Sequence, residues 1–373
     1  MNTRINSHLN IPFTYKLVAL TLFSLFFSAC ISSPTPGELI NKRITDSFDE
    51  TKSLAVNFIT TRREKISANP SCDSNFYGFL TDVQTHFGQC FISVPAKRTI
   101  GDITWNNTQD KNLFFHMLGK NDLREEDFFN QIKAHPFEEV LVFIHGFNVN
   151  FDEAVIRAGQ IKYDLKFPGE VIVYSWPAGS EAGILNQLMI KSVYESNFNE
   201  AKLNREPFAR FLNQLTTTKK KIHMVVHSMG HQVVLPALAR ESTNGKKKII
   251  DQLILNAPDF DKAEFAKISP ALVDVANRVT LYCSPGDNAL VASQKVNGGY
   301  RAGMCFKFDN IDVINVNEVD SPVLGVGGLG HGYYSSRPIL SDIYQVLLGI
   351  NVEKRLFIRK SGPANGENWV LRQ

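Results

Sequence analysis

Ile222-His223-Met224-Val225-Val226-His227-Ser228-Met229-Gly230, with Gln232-Val233-Val234-Leu235 just beyond, is the stretch on which the fold turns. An apolar run of strand length stops at a serine and passes at once into residues of helical spacing. A strand, sharp turn and helix of this kind is a nucleophile elbow: the turn pushes Ser228 Oγ out at the carboxyl edge of a sheet, above the positive end of the following helix. Gly230 supplies one of the two small residues that let helix and strand pass closely, and Val226 stands where the second is usual. The plainer reading of the same residues is a buried strand with Ser228 as the cap of the next helix.

Working outward, four more apolar runs flank this one: Val140 to Ile144, Val171 to Ser175, Leu253 to Asn256 and Val279 to Cys283. Helix-spaced segments separate them, such as Phe208, Phe211, Leu212 and Leu215, and a last one covers Ile339 to Leu348. Short, continuously apolar strands alternating with helices describe a parallel sheet covered on both faces. Two earlier strand-like pieces, Phe91 to Val94 and Ile103 to Trp105, bring the expected α/β sheet to about eight strands. The core is expected over 136–350, with a segment at 46–135 contributing the first strands and a tail at 351–373.

A serine hydroxyl is a weak nucleophile and needs a histidine base held by a carboxylate. In folds with this elbow the partners follow in the chain order serine, acid, histidine. Of nine histidines only His331 lies beyond every candidate acid, in the glycine-rich stretch Gly327-Gly328-Leu329-Gly330-His331-Gly332-Tyr333. Such a loop can carry an imidazole across to the serine, although a lone loop histidine is more commonly a solvated surface group. Asp287 follows the run ending at Cys283 and is the preferred acid. Asp259 and Asp261, at the end of the preceding strand, are the alternatives, and the plainer role of Asp259 is a turn or cap. The amides of Met229, after the serine, and Phe147, in His145-Gly146-Phe147-Asn148 after the Val140 run, are the expected oxyanion donors. His145 fits a loop-fixing role, and Trp176 either a core position or the wall of an acyl pocket.

The start of the chain is of another character. Arg4 and Lys16 precede Leu17 to Phe27, eleven residues, where a membrane span needs about 20. Small residues then lead to Cys30, which together describe an export signal over 1–29. Ser28-Ala29-Cys30 resembles the bacterial lipoprotein signal, which implies lipidation of Cys30, a tether over 30–45 and, with Ile31 following, the outer membrane. Without residues 1–29 the formal charge of +3 falls by two, to +1, so no field draws the chain to nucleic acid. Cys72, Cys90, Cys283 and Cys305 then remain, an even number that reads as disulfides in an exported chain, with three connectivities open. Pairing of sequence neighbours closes the shortest loops. No Cys-x-x-Cys or paired-histidine spacing suggests a metal.

Taken together, Val142-Phe143-Ile144-His145-Gly146-Phe147-Asn148, Phe167-Pro168-Gly169 with Ser175-Trp176-Pro177, His227-Ser228-Met229-Gly230, Ala257-Pro258-Asp259, Arg301-Ala302-Gly303 and Gly330-His331 give a specific combination. From about Phe91 to Leu348 the chain resembles a bacterial α/β-hydrolase family of mostly unassigned substrate, related to esterases and lipases. The resemblance implies triad roles for Ser228, Asp287 and His331, and a structural one for Asp259.

The expectation is therefore a lipid-anchored serine hydrolase of the cell envelope, facing periplasm or exterior. It would cleave an ester, thioester or amide of a small-molecule or lipid substrate through an acyl-enzyme, without metal or organic cofactor. Two other readings stand beside it. One is a non-catalytic envelope scaffold that keeps the fold; the other is a lipase of membrane lipids, for which Ala182 to Ile190 is the one segment suited to a lid and, more plainly, a packed amphipathic helix.

Overall fold

The computed structural model describes residues 53–65, 69–73, 76–181, 187–319, 331–361 and 369–372. The export signal, Cys30, the tether and most of the Ala182 to Ile190 segment lie outside the described residues. Among the described residues eleven strands form one sheet, ordered β10-β11-β9-β8-β7-β6-β4-β5-β1-β2-β3. They are β1 (Leu54–Glu64), β2 (Tyr77–Ser93), β3 (His116–Leu123), β4 (Glu139–Ile144), β5 (Glu170–Ser175), β6 (Lys221–His227), β7 (Ile250–Asn256), β8 (Ala276–Cys283), β9 (Asp312–Asn315), β10 (Ile358–Lys360) and β11 (Trp369–Leu371). The expected mostly parallel sheet is present: neighbours from β1 through β5, β4, β6, β7, β8 and β9 to β11 run parallel, and only β1–β2, β2–β3 and β10–β11 are antiparallel.

The count exceeds the expected eight, because β3 is half-exposed, β9, β10 and β11 are short, and β1, although long and buried, is interrupted by the polar residues Asn57, Thr60, Thr61 and Arg62. Ile103 to Trp105 is not a strand; Trp105 makes one isolated bridge to Phe115, and the edge is formed by the polar strand β3. Within the C-terminal tail, β10 and β11 pair and join the far end of the sheet.

Among the described residues eight helices cover the sheet: α1 (Glu125–Ala134), α2 (Phe151–Asp164), α3 (Gln187–Leu203), α4 (Arg205–Thr217), α5 (His231–Thr243), α6 (Lys262–Val275), α7 (Asn288–Asn297) and α8 (Arg337–Leu347). Strand side chains alternate between two cores, as the two-residue period requires. Val140, Val142 and Ile144 of β4 meet α1, α4, α5 and α6 on one face. Leu141 and Phe143 meet α2 and α8 on the other. Truncating fully buried Phe143 to alanine would cost about 3–5 kcal/mol, so these central strands are the least negotiable part of the fold. β4 lies between β5 and β6, so successive connections leave in opposite directions there. A crevice opens at the carboxyl ends of the strands at such a switch point, and β6 delivers Ser228 to it.

Candidate active site

Ser228 follows β6 directly, starts a tight turn over Ser228–Gly230 and leads into α5. Its φ of 52° is the left-handed region that a side chain rarely adopts, which is how the turn reverses direction in so few residues. Close approach makes this possible. A Cβ on Gly230 would lie 2.5 Å from the His145 carbonyl oxygen, and one on Gly146 would lie 2.8 Å from Ser228 Cβ. Two glycines thus clear the elbow, while Val226 is wholly buried in the core. The amide of Met229 belongs to the first turn of this unit, among the N–H groups that a helix leaves without a partner.

The structure brings Ser228, His331 and Asp287 together. His331 Nε2 lies 2.6 Å from Ser228 Oγ and Nδ1 lies 2.7 Å from Asp287 Oδ2. Since a carboxylate only accepts, Nδ1–H donates to Asp287, and the Nε2 lone pair faces the serine hydroxyl. Asp287 is wholly buried, and its Oδ1 also accepts the amides of Ala289 and Leu290, 3.0 Å each, so the carboxylate caps α7 while facing the imidazole. Ser228 and His331 are also largely shielded from water.

Asp259 is placed otherwise. Its Oδ1 accepts from Arg301 Nε at 2.9 Å and Ser293 Oγ at 2.5 Å, and its Oδ2 from the Tyr194 hydroxyl at 2.8 Å. These donors occupy the carboxylate away from His331. Its backbone still touches the elbow, because Asp259 N–H donates to the Ser228 carbonyl at 3.3 Å. Burial first, and Asp259 second, push the Tyr194 hydroxyl well above its ordinary pKa, so it acts as a fixed donor.

The loop after β4 runs beside the serine. Phe147 is half-buried in it and packs on Tyr194, with ring centroids 5.7 Å apart. Asn197 Oδ1 accepts the Asn148 amide at 3.2 Å and the Gly179 amide at 2.9 Å. Behind the loop, His145 and Trp176 stack at 5.3 Å, and Trp176 Nε1–H donates to the His145 carbonyl at 2.9 Å. Trp176 is fully buried, which gives it the core position rather than a pocket wall. His145 Nδ1–H donates to the Gly146 carbonyl at 3.0 Å, and burial, then Arg62, hold its pKa down to about 3.

A family described as alpha/beta hydrolase of unknown function (DUF900) matches residues 120–350, well over half of the chain. The chain belongs to that alpha/beta hydrolase family. No curated protein matches it. The match spans the hydrolase sheet from β4 through β9 and every residue of the Ser228, Asp287 and His331 group, but not β1, β2 or the first half of β3.

The cysteines pair as Cys72–Cys90 and Cys283–Cys305, the nearest-neighbour connectivity. Among the described residues no set of three His, Cys, Asp or Glu side chains is arranged to hold a metal ion, and no helix is long and apolar enough to cross a membrane. Three participants escape a sequence reading. Arg62 in β1 reads as a surface residue, Asn197 as an ordinary helix residue, and Tyr334, stacked on His227 at 4.0 Å, as a core aromatic. A polar residue in an otherwise apolar strand, such as His227, was the one signal available.

Proposed function

We propose that this alpha/beta hydrolase is a serine hydrolase that cleaves an ester, or a thioester or amide, through an acyl-enzyme. Ser228 Oγ attacks the acyl carbon as its proton passes to His331 Nε2, and Asp287 orients the ring and stabilises the imidazolium. The amides of Met229 and Phe147 receive the developing oxyanion. The tetrahedral adduct collapses, the leaving alcohol, thiol or amine takes the proton from His331, and water repeats the cycle to free Ser228. The observation that carries this reading is one ring, His331, with a nitrogen on Ser228 at 2.6 Å and the other on Asp287 at 2.7 Å. A scaffold has no chemical need for that contact.

The test is labelling of the purified chain with a fluorophosphonate probe beside Ser228→Ala and His331→Ala. Wild type should label stoichiometrically, Ser228→Ala not at all, and His331→Ala at least about 10³-fold more slowly. A folded wild type that takes no label overturns the reading in favour of the scaffold.

The same proposal places the enzyme on the cell envelope, lipid-anchored through Cys30 and acting on a small-molecule or lipid ester, with no nucleic-acid partner. Two disulfides support an oxidising compartment. Cys30→Ala should move the protein from the membrane fraction to the soluble one; retention in the membrane would count against the anchor.

A further inference from the structure

We propose that Arg62, at the carboxyl end of β1, is a positioning residue for the oxyanion loop, holding residues 145–149 from behind so that the Phe147 amide faces the substrate oxygen. The inference rests on the serine-hydrolase reading above, and it concerns a residue outside the family-matched segment.

Arg62 is wholly buried. Arginine almost never is unless its donors are satisfied, and ordinarily a carboxylate satisfies them. Here the acceptors are neutral and come from three separate stretches of the chain: β2, the end of β5 with the residues just after it, and the loop after β4. Nε donates to Ser175 Oγ at 3.0 Å, and Nη1 to the carbonyls of Ala178 at 2.9 Å and Gly78 at 3.2 Å. Nη2 donates to the Val149 carbonyl at 2.7 Å. Burial lowers its pKa to about 9, with Asp152 and Glu153 pulling the other way, so the group is a cation at neutral pH. For stability alone, an apolar side chain of similar volume is as good or better than a buried cation. What an apolar side chain cannot supply is the planar fork that ties β2, the end of β5 and the loop after β4 together.

The fork reaches Phe147 from both sides. On one side Val149 is held directly. On the other, Ser175 Oγ accepts from Arg62, and its own hydrogen points to His145 Nε2, 3.4 Å away. His145 then donates from Nδ1 to the Gly146 carbonyl. Because His145 stays neutral, Nε2 remains an acceptor and the relay keeps one direction. Displacing an oxyanion donor by about 1 Å costs on the order of 10²-fold in rate, so a loop carrying such a donor needs a brace of this kind.

The test compares Arg62→Met, Arg62→Lys and Ser175→Ala in the full chain, counting sites by fluorophosphonate stoichiometry and measuring kcat and KM for a p-nitrophenyl ester. Arg62→Met should lower kcat per labelled site about 30-fold and leave KM within about twofold. Arg62→Lys keeps the charge without the fork and should recover only part of the loss. Ser175→Ala should lose about threefold alone and little more on the Arg62→Met background. Unchanged kcat per labelled site, with loss confined to melting temperature or stoichiometry, would overturn the proposal by making Arg62 merely structural. If Arg62→Met does not fold, Arg62→Lys and Ser175→Ala decide by the same criterion. If wild type neither labels nor turns over, the hydrolase reading has failed, and the brace is read by hydrogen exchange of the 145–150 amides. These should exchange about tenfold faster in Arg62→Lys, and equal exchange overturns the brace itself.

Discussion

His227 Nε2–H donates a hydrogen bond to the main-chain carbonyl of His331 across 3.1 Å, so the residue before Ser228 holds the backbone of the residue whose ring faces that serine. The His227 ring lies between Tyr334, stacked at 4.0 Å, and the His331 ring, at 4.8 Å. Arg157 in turn sits over Tyr334 at 5.4 Å. Burial first, and His331 next, keep the pKa of His227 well below the ordinary value, so it stays a neutral donor. His227→Phe would keep the stack and remove the donor. We expect kcat per labelled site to fall about tenfold with KM unchanged, whereas His227→Gln, which can still donate, should recover most of it. Equal kcat in both variants would remove His227 from the positioning machinery.

Two aspartates compete for the acid role, and their surroundings predict opposite outcomes. Asp287→Asn keeps a side-chain oxygen to cap α7 but can no longer accept from both the helix amides and His331 as a charge. Hydrolysis should fall on the order of 10³–10⁴-fold with the melting temperature nearly unchanged. Asp259→Asn leaves Arg301 buried beside a neutral amide. That should cost about 3–5 kcal/mol of stability. Thermal unfolding beside kcat per labelled site separates the two, and a reversal would exchange the residues' roles.

Much of this was legible in the sequence for a specific reason. Strands buried on both faces read as continuous apolar runs, and the expected runs lie within β4 to β8. Toward the β3 edge only Phe91 to Val94, which falls on the end of β2, was legible. β2 alternates with exposure, β3 is mostly polar, and β1 ends in Thr60-Thr61-Arg62-Arg63-Glu64, which resembles a loop. The proximity of Ser228, Asp287 and His331 could be read because the serine, acid, histidine order expected after such an elbow singles them out. Arg62 could not, because nothing in a sequence marks an arginine whose partners are a hydroxyl and carbonyls from distant parts of the chain. Val226 was misleading for a related reason: the space at the elbow is provided by Gly146, remote in sequence, as much as by Gly230.

Three buried histidines make stability depend on pH. Burial lowers His145 and His231 from 6.5 to about 3, and His227 well below 6.5. Their folded values lie below the unfolded one, so as pH falls through 6.5 the unfolded chain takes up protons first. The stabilisation is complete above pH 6.5 and is lost progressively toward 3, by about 1.4 kcal/mol per pH unit for each histidine. Asp312 and Asp342, raised by burial, act in the opposite sense, but only nearer the carboxylate range. Urea unfolding at pH 5.5 should therefore give a stability about 3–4 kcal/mol below that at pH 7.5. His231→Asn, which can still donate to the Ser228 carbonyl, should remove about a third of that difference. Equal stability at the two pH values would rule the account out.

The two disulfides should differ in what they protect. Cys283 ends β8 just before the turn that carries Asp287, and it is bonded to Cys305. The same turn is pinned by Ser284 N–H on the Gly303 carbonyl at 3.1 Å, and Gly303 N–H reaches the Pro258 carbonyl at 3.0 Å. Cys72–Cys90 instead ties β2 to the segment before it. The sequence separations are 22 and 18 residues, so chain entropy assigns each bond roughly 3 kcal/mol. The melting temperature should accordingly fall by similar amounts in Cys283→Ala/Cys305→Ala and in Cys72→Ala/Cys90→Ala. Labelling of Ser228 should slow only in the first pair, because only there does the carboxylate that orients His331 lose its anchor. Equal slowing in both would mean that the bonds act on overall stability alone, and that the Asp287 turn is held by its hydrogen bonds.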